Sequence, residues 1–196
     1  MNLSPDILER LYENLLEQGC IVDVGCGDGF LLRSLPKSEH NILYGIDPCF
    51  TDKETSDDNI RFLRSTAERL PLPSRCADAI IMQCVFSLCE PVQAVRELNR
   101  VLKDNGVLLI ADLYSNLSDS YFSDNPLICN IYFRRHLEAF FTHTFRMTKF
   151  YDETDALKEM FAQIILNGDD EICSVGNLMK LREKKARYGL WVWKKN

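Results

Sequence analysis

What this sequence lacks narrows it first. None of its 196 residues fall in an apolar run near the ~20 needed to cross a bilayer as a helix, so no membrane is expected as a partner. No Cys-x-x-Cys pair occurs among the eight cysteines at positions 20, 26, 49, 76, 84, 89, 129 and 173. That removes the usual spacing of zinc and iron–sulfur ligands, and no metal is expected. Basic residues are outnumbered, 23 Lys and Arg against 29 Asp and Glu, for a net charge of −6. A nucleic acid is therefore not expected as the main partner. The first residues, MNLSPDILER, do not show the basic-then-apolar order of a secretory leader. A cytoplasmic setting with reduced, packed thiols is the expectation. Composition leaves the oligomeric state open.

What is present is an ordinary globular mixture, 46% hydrophobic and 27% charged. At this length a single α/β domain spanning residues 1–196 is expected. It centres on Ile21-Val22-Asp23-Val24-Gly25-Cys26-Gly27-Asp28-Gly29-Phe30. A short apolar run reads as a buried strand, and Phe30, Leu31, Leu32 and Leu35 read as the helix that follows. Glycines at such a turn permit positive φ and let a ligand lie against the backbone. The helix start adds free N–H donors. A dinucleotide fingerprint needs glycine at position 30, where Phe30 stands. Asp23 precedes the turn, and a carboxylate suits a cationic, ammonium-bearing cofactor better than a pyrophosphate.

DVGCGDG resembles the first motif of class I S-adenosylmethionine-dependent methyltransferases, and three further stretches extend the likeness. Asn41–Asp47 is a second strand, its acid 22 residues beyond Gly25, where such folds hold the ribose. Ser65-Thr66-Ala67-Glu68-Arg69-Leu70-Pro71 is similar to the family's G-D-A-E-x-L-P, with Ser65 and Thr66 replacing Gly and Asp. In the family that Asp contacts adenine, so Thr66 offers a neutral hydroxyl in its place. EPVQAVRELNRVLKDNGVLLIAD matches the family's helix–turn–strand over 23 residues without a gap.

The resemblance implies a doubly wound, Rossmann-like αβα fold with a seven-stranded, mostly parallel sheet and an antiparallel last strand. It implies S-adenosylmethionine as cofactor, SN2-type methyl transfer, and an acceptor of the small-molecule class. Asp23, Gly25, Cys26, Gly27, Asp28 and Gly29 are expected to hold the methionine portion. Asp47 and Pro48 are expected at the ribose, Thr66, Ala67 and Glu68 at adenine, and Gln83 and Cys84 near the methyl group. Within the domain, residues 1–18 form an N-terminal helix, to which Tyr12 adds an aromatic. Residues 113–136, rich in aromatics, form a substrate-lid insert. His136, Tyr114 and Tyr121 are the candidates for a base if the acceptor must lose a proton. Two rival readings remain: an S-adenosylmethionine-binding accessory or regulatory protein without turnover, and a nicotinamide-dependent reductase.

Overall fold

The computed structural model describes residues 5–15, 19–35, 41–50, 60–117, 120–121, 130–155, 158–159 and 181–196. Helix α1 (Pro5–Leu15) leads into strand β1 (Cys20–Val24), and the glycine turn into the short helix α2 (Phe30–Ser34). Strands β2 (Ile42–Ile46), β3 (Ile60–Leu63) and β4 (Ala77–Gln83) follow. After a single 3₁₀ turn at Phe86–Leu88 come α3 (Pro91–Val101) and the long β5 (Leu102–Ser115). The chain continues through β6 (Tyr132–Phe133), α4 (Arg134–Phe141), β7 (Phe145–Asp152) and β8 (Arg187–Lys195).

The sheet runs β3-β2-β1-β4-β5-β8-β7, with the two-residue β6 paired to the end of β5. The first five strands are parallel, and β8 enters antiparallel between β5 and β7. The doubly wound architecture is the one expected. Successive residues on a strand face opposite sides, and the two cores sort accordingly. Val22, Ile80, Met82, Leu108, Ile110, Trp191 and Trp193 pack with α3 and α4 on one face. Ile21, Ala79, Ile81, Leu109, Ala111 and Leu190 pack with α1 and α2 on the other.

Local chemistry explains the element boundaries. Glu90 caps α3, its carboxylate accepting the amides of Val92 and Gln93, and Pro91 occupies the first helical position. The expected helix C-terminal turn at Lys103–Gly106 lies instead inside β5, which begins at Leu102 with Asn105 at φ 62°. The stretch 113–136, expected as an insert, holds regular structure at both ends. Residues 113–115 extend β5, Tyr132 pairs with Tyr114, and α4 is under way by His136. Burial of Tyr114 and Tyr132 on the core face explains why these aromatics join the sheet. The side chain of Tyr12, the apolar stripe from Leu157 to Ile165 and most of the helix expected over 175–187 lie outside the described residues. No helix among the described residues is long and apolar enough to cross a membrane.

The methyltransferase-like segment after β3 is pinned to α3 by one ion pair. Arg100 donates to both carboxylate oxygens of Glu97 at 2.7 Å and to the carbonyls of Leu72 and Leu70 at 2.8 and 2.9 Å. Glu97 in turn accepts the Leu70 amide at 2.8 Å. The hydrogen bonds from Arg100, then from Leu70, hold the Glu97 carboxyl below its ordinary range against the opposing effect of burial. Replacing Arg100 by Met keeps the apolar stem but leaves two carbonyls and a carboxylate short of donors. We expect Arg100→Met to lower the unfolding free energy by about 2 kcal/mol in a denaturant titration.

Candidate functional site

The glycine turn joins the carboxyl ends of β1 and β2. Gly25 and Cys26 both donate to the Ile46 carbonyl, at 2.6 and 3.2 Å, so the chain leaves β1 by leaning on its neighbour. Gly25, Gly27 and Gly29 take φ of 78°, 53° and 79°. Two reasons for glycine separate here. A Cβ on Gly25 would lie 2.1 Å from Cγ2 of Val85, because the segment after β4 packs directly on it. A Cβ on Gly27 would meet nothing within 4 Å. That backbone faces open space, and its positive φ is what requires glycine.

Asp47 fastens the tip of the turn. Its Oδ2 accepts the Gly27 amide at 3.0 Å and its Oδ1 the Cys49 amide at 2.8 Å. Each oxygen retains a second lone pair. Pro48, exposed beside it, gives its carbonyl to Arg64. Asp28 accepts the Phe30 amide at 3.0 Å, starting α2, while Arg33 donates back to the Asp28 carbonyl.

Asp23 is the electrostatic anomaly. It is only 3% exposed, and among the described residues nothing donates a hydrogen bond to its carboxyl. Burial, and then the nearby Asp47 charge, push its pKa up to about 7. Cys26 lies in the same field. Burial first, then the charges of Asp23 and Asp47, push its thiol up to about 12, so it is not a nucleophile.

The remaining cofactor candidates divide by what they touch. Ala67 is buried and Thr66 exposed. Glu68 accepts the Glu90 amide at 2.8 Å and so steadies the start of α3. Burial would raise its carboxyl, but hydrogen bonds from Glu90, Thr66 and its own amide outweigh that and hold it low. Glu68, Glu90 and Glu97 also line a cleft of about 610 Å³ with Val92, Gln93 and Arg96. All three carboxylates there already hold backbone amides, so that cleft reads as a by-product of helix capping. Gln83 and Cys84 end β4 at the expected edge, yet both bond the hydroxyl of buried Tyr188, the Cys84 thiol at 3.5 Å. Cys84 also takes φ 54°, rare for a residue with a side chain.

The three candidate bases are not equivalent. Tyr114 is buried within the sheet, and its hydroxyl accepts Arg187 Nε at 3.1 Å. Burial pushes its pKa up, and it serves the core rather than a pocket. Tyr121 is half-buried, bridged to Ile131, with the Lys184 ammonium 5.4 Å from its ring centre. His136 is exposed on the first turn of α4, with Nδ1 3.1 Å from Ser120 Oγ. Sequence reading missed Val85, Tyr188 and Ser120. It also missed Phe62, whose ring stacks on Phe50 at 4.7 Å and fills the space beside Gly29 and Gly45. None of the four stands in a motif, so only the fold reveals them.

Comparison with known proteins agrees with this geometry. Residues 22–110 match the profile of a methyltransferase domain. A curated relative, the malonyl-[acyl-carrier protein] O-methyltransferase of Halalkalibacterium halodurans, is 30% identical over 122 residues, covering 54% of this chain and 44% of that protein. The chain thus spans less than half the length of the curated relatives it matches. Among solved structures, a geranyl diphosphate methyltransferase in complex with S-adenosylmethionine superposes with a TM-score of 0.76 at 15% identity, covering 97% of this chain and 85% of that one. The [4+2]-cyclase SpnF superposes at 0.72 with 21% identity, covering 97% and 80%. At such identities these two show the shared fold alone. With its glycine turn, its two strand-end acids and the match over residues 22–110, the chain is similar to class I S-adenosylmethionine-dependent methyltransferases.

Proposed function

We propose that this chain is an enzyme that transfers the methyl group of S-adenosylmethionine to a small-molecule acceptor. The observation that carries the reading is Asp23, buried without a hydrogen-bond donor among the described residues, beside Asp47 and below the open backbone of Gly27. Two carboxylates this close to a ligand-accessible turn repel a pyrophosphate and favour a cofactor carrying ammonium and sulfonium charge. In this reading Asp23 and the turn Gly25–Gly29 hold the methionine portion. Asp47 accepts the ribose hydroxyls on its spare lone pairs, with Pro48 beside it. Thr66, Ala67 and Glu68 flank adenine, and Gln83 and Cys84 border the sulfur. The cofactor supplies an electrophilic methyl carbon. The chain's own part is to hold acceptor and methyl in line and to exclude water. We take the described elements from α1 to β8 as one domain, with the segment between β5 and α4 as the acceptor wall. The relatives are named for malonyl-[acyl-carrier protein], an acyl group carried on a protein, and for geranyl diphosphate, so they single out no one acceptor and the class is kept broad.

Calorimetric titration tests the cofactor. Micromolar binding of S-adenosylmethionine and S-adenosylhomocysteine, with none of NADH, is the expected result. Asp47→Ala should weaken the first two by about tenfold or more, the size of a lost charge-assisted pair of hydrogen bonds. Binding of NADH alone would return the reductase reading. Tight binding with no product from any acceptor would favour the accessory-protein reading.

Asp23 adds a pH signature. A cation is held by the ionised carboxylate, whose pKa in the folded chain is about 7. Affinity for S-adenosylmethionine should therefore rise between about pH 6 and about pH 8 and then level off. Asp23→Asn should bind more weakly at the upper pH and lose the rise. Stability of the ligand-free chain runs the other way. The folded pKa lies above the unfolded one, so ionising Asp23 costs free energy that is absent near pH 4 and fully present above about pH 7. Denaturant midpoints should fall across that window in the wild type and fall less in Asp23→Asn.

A further inference from the structure

Asp23, Gly45 and Phe62 stand in register on neighbouring strands. Asp23 of β1 pairs with Gly45 of β2, and Gly45 pairs with Phe62 of β3. Residues in register on parallel strands point to one face of the sheet. The middle member has no side chain, so the outer two face each other across two strand spacings, about 10 Å. The Phe62 ring leans into that gap. A Cβ on Gly45 would lie 2.7 and 2.8 Å from ring atoms Cδ1 and Cε1, and 2.8 Å from Sγ of Cys26. The same ring edge reaches the end of the glycine turn, where a Cβ on Gly29 would lie 2.5 Å from Cζ. One aromatic side chain thus takes the place of two missing ones, one in the turn and one beside Asp23.

The ring is held from outside as well. Phe50, on the loop that leaves Asp47, stacks on it at 4.7 Å with the planes 7° apart. The Arg33 guanidinium lies 5.6 Å from its centre and also donates to the Asp28 carbonyl of the turn. On its other side, Asp23 is bordered by Ile81 of β4. Helix α1 turns Leu11 and Leu15 into the same core, with its Arg10 paired to Glu153 and its Glu9 and Glu13 exposed. Among the described residues, the titratable groups that act on or with Asp23 are Asp47 and Cys26, and Asp28 acts on Cys26 in turn. Cys84, Tyr151 and Tyr188 belong to the same core face, after β4 and on β7 and β8. Burial drives the Cys26 thiol up to about 12 and raises Tyr188 as well.

We propose that Phe62 is a positioning residue for cofactor capture, its ring shielding the Asp23 carboxylate from water and setting the end of the glycine turn beside it. The proposal rests on the methyltransferase reading above, in which Asp23 meets the ammonium group of the cofactor's methionine portion. An ion pair to that ammonium is stronger where water is kept from the carboxylate. The same exclusion destabilises the ionised carboxylate of the empty site, and a bound cation offsets that cost. A phenyl ring suits the task. It is large enough to cover Gly45, and it carries no polar atom to compete for the carboxylate. Gly45 and the third glycine of the turn then serve as space for Phe62 as well as for a ligand.

The test uses the full chain with ring-labelled phenylalanine, followed by nuclear magnetic resonance and by calorimetry with S-adenosylhomocysteine, which keeps the ammonium group. The Phe62 resonances are assigned by their loss in Phe62→Tyr, which retains a ring. Without ligand they should shift with pH at the Asp23 midpoint of about 7, and in Asp23→Asn they should stay fixed across that window. Affinity of the wild type for S-adenosylhomocysteine should follow the same midpoint. Phe62→Leu admits water beside the carboxylate and should move the midpoint down by about one pH unit, a fraction of what full burial can impose. Binding at about pH 6, relative to about pH 8.5, should then rise about fivefold, and Phe62→Tyr should restore the wild-type profile. Ring resonances that ignore pH, or that still shift across the window in Asp23→Asn, would overturn the proposal. An unchanged pH profile in Phe62→Leu would overturn it too, and if that variant does not fold, the ring titration decides. Failure of S-adenosylhomocysteine to bind the wild type while the ring titrates would instead overturn the cofactor reading on which the proposal stands.

Discussion

The hydrogen bond from the Gly27 amide to Asp47 is the constraint on which the site depends. It joins the tip of one strand–helix turn to the end of the adjacent strand, so neither can be moved without the other. The same carboxylate raises the pKa of Asp23, one strand over and deep in the sheet. Asp47 thus fixes the turn and adds to what burial already does to Asp23. A cavity lined with bystanders has no such coupling. Here the backbone that a ligand would touch and part of the field that it would feel depend on the same side chain.

Most of the amino-terminal half was legible because its physics is local. Hydrophobic runs four to seven residues long, glycines between them and acids at their ends announce parallel strands and a ligand edge without any knowledge of neighbours. Pro91 and Glu90 announce α3 in the same way. What the sequence concealed is whatever depends on two distant segments meeting. Gly25 reads as a ligand glycine, yet Val85 explains its size. Glu68, expected beside adenine, also steadies a helix start. Gln83 and Cys84 sit where expected, but Tyr188, more than a hundred residues later in the chain, draws both side chains toward itself. Position on an edge follows from the chain's own pattern. Side-chain direction follows from packing partners.

The carboxyl-terminal half shows the reverse balance. Alternation over Phe145–Tyr151 and the Trp-bearing run at the end identify strands, but not where they insert. The aromatics between β5 and α4 look alike in sequence and divide sharply in space. Tyr114 and Tyr132 are core, tied into ring contacts with Trp191 and Phe86. Tyr121 and Phe133 remain at the surface beside polar groups. Their fates differ because strand pairing fixes which residues face the packed helices, and β6 exists only through its pairing with β5. Among these described aromatics, a place in the core or at the surface thus follows from register.

The strand order has a consequence for how the chain is made. Among the described strands, β7 hydrogen-bonds to β8 alone, and β8 supplies its link to β5. Synthesis delivers β7 more than thirty residues before β8 is complete. Until then β7 has no edge to join, and β5 presents an open one. The parallel block from β3 to β5 can assemble on the ribosome, but β7 and β8 must join the sheet in one late step. Strand β8, with its two buried tryptophans, is the keystone of that step, so a chain released early would expose the very edge most prone to pairing with another molecule.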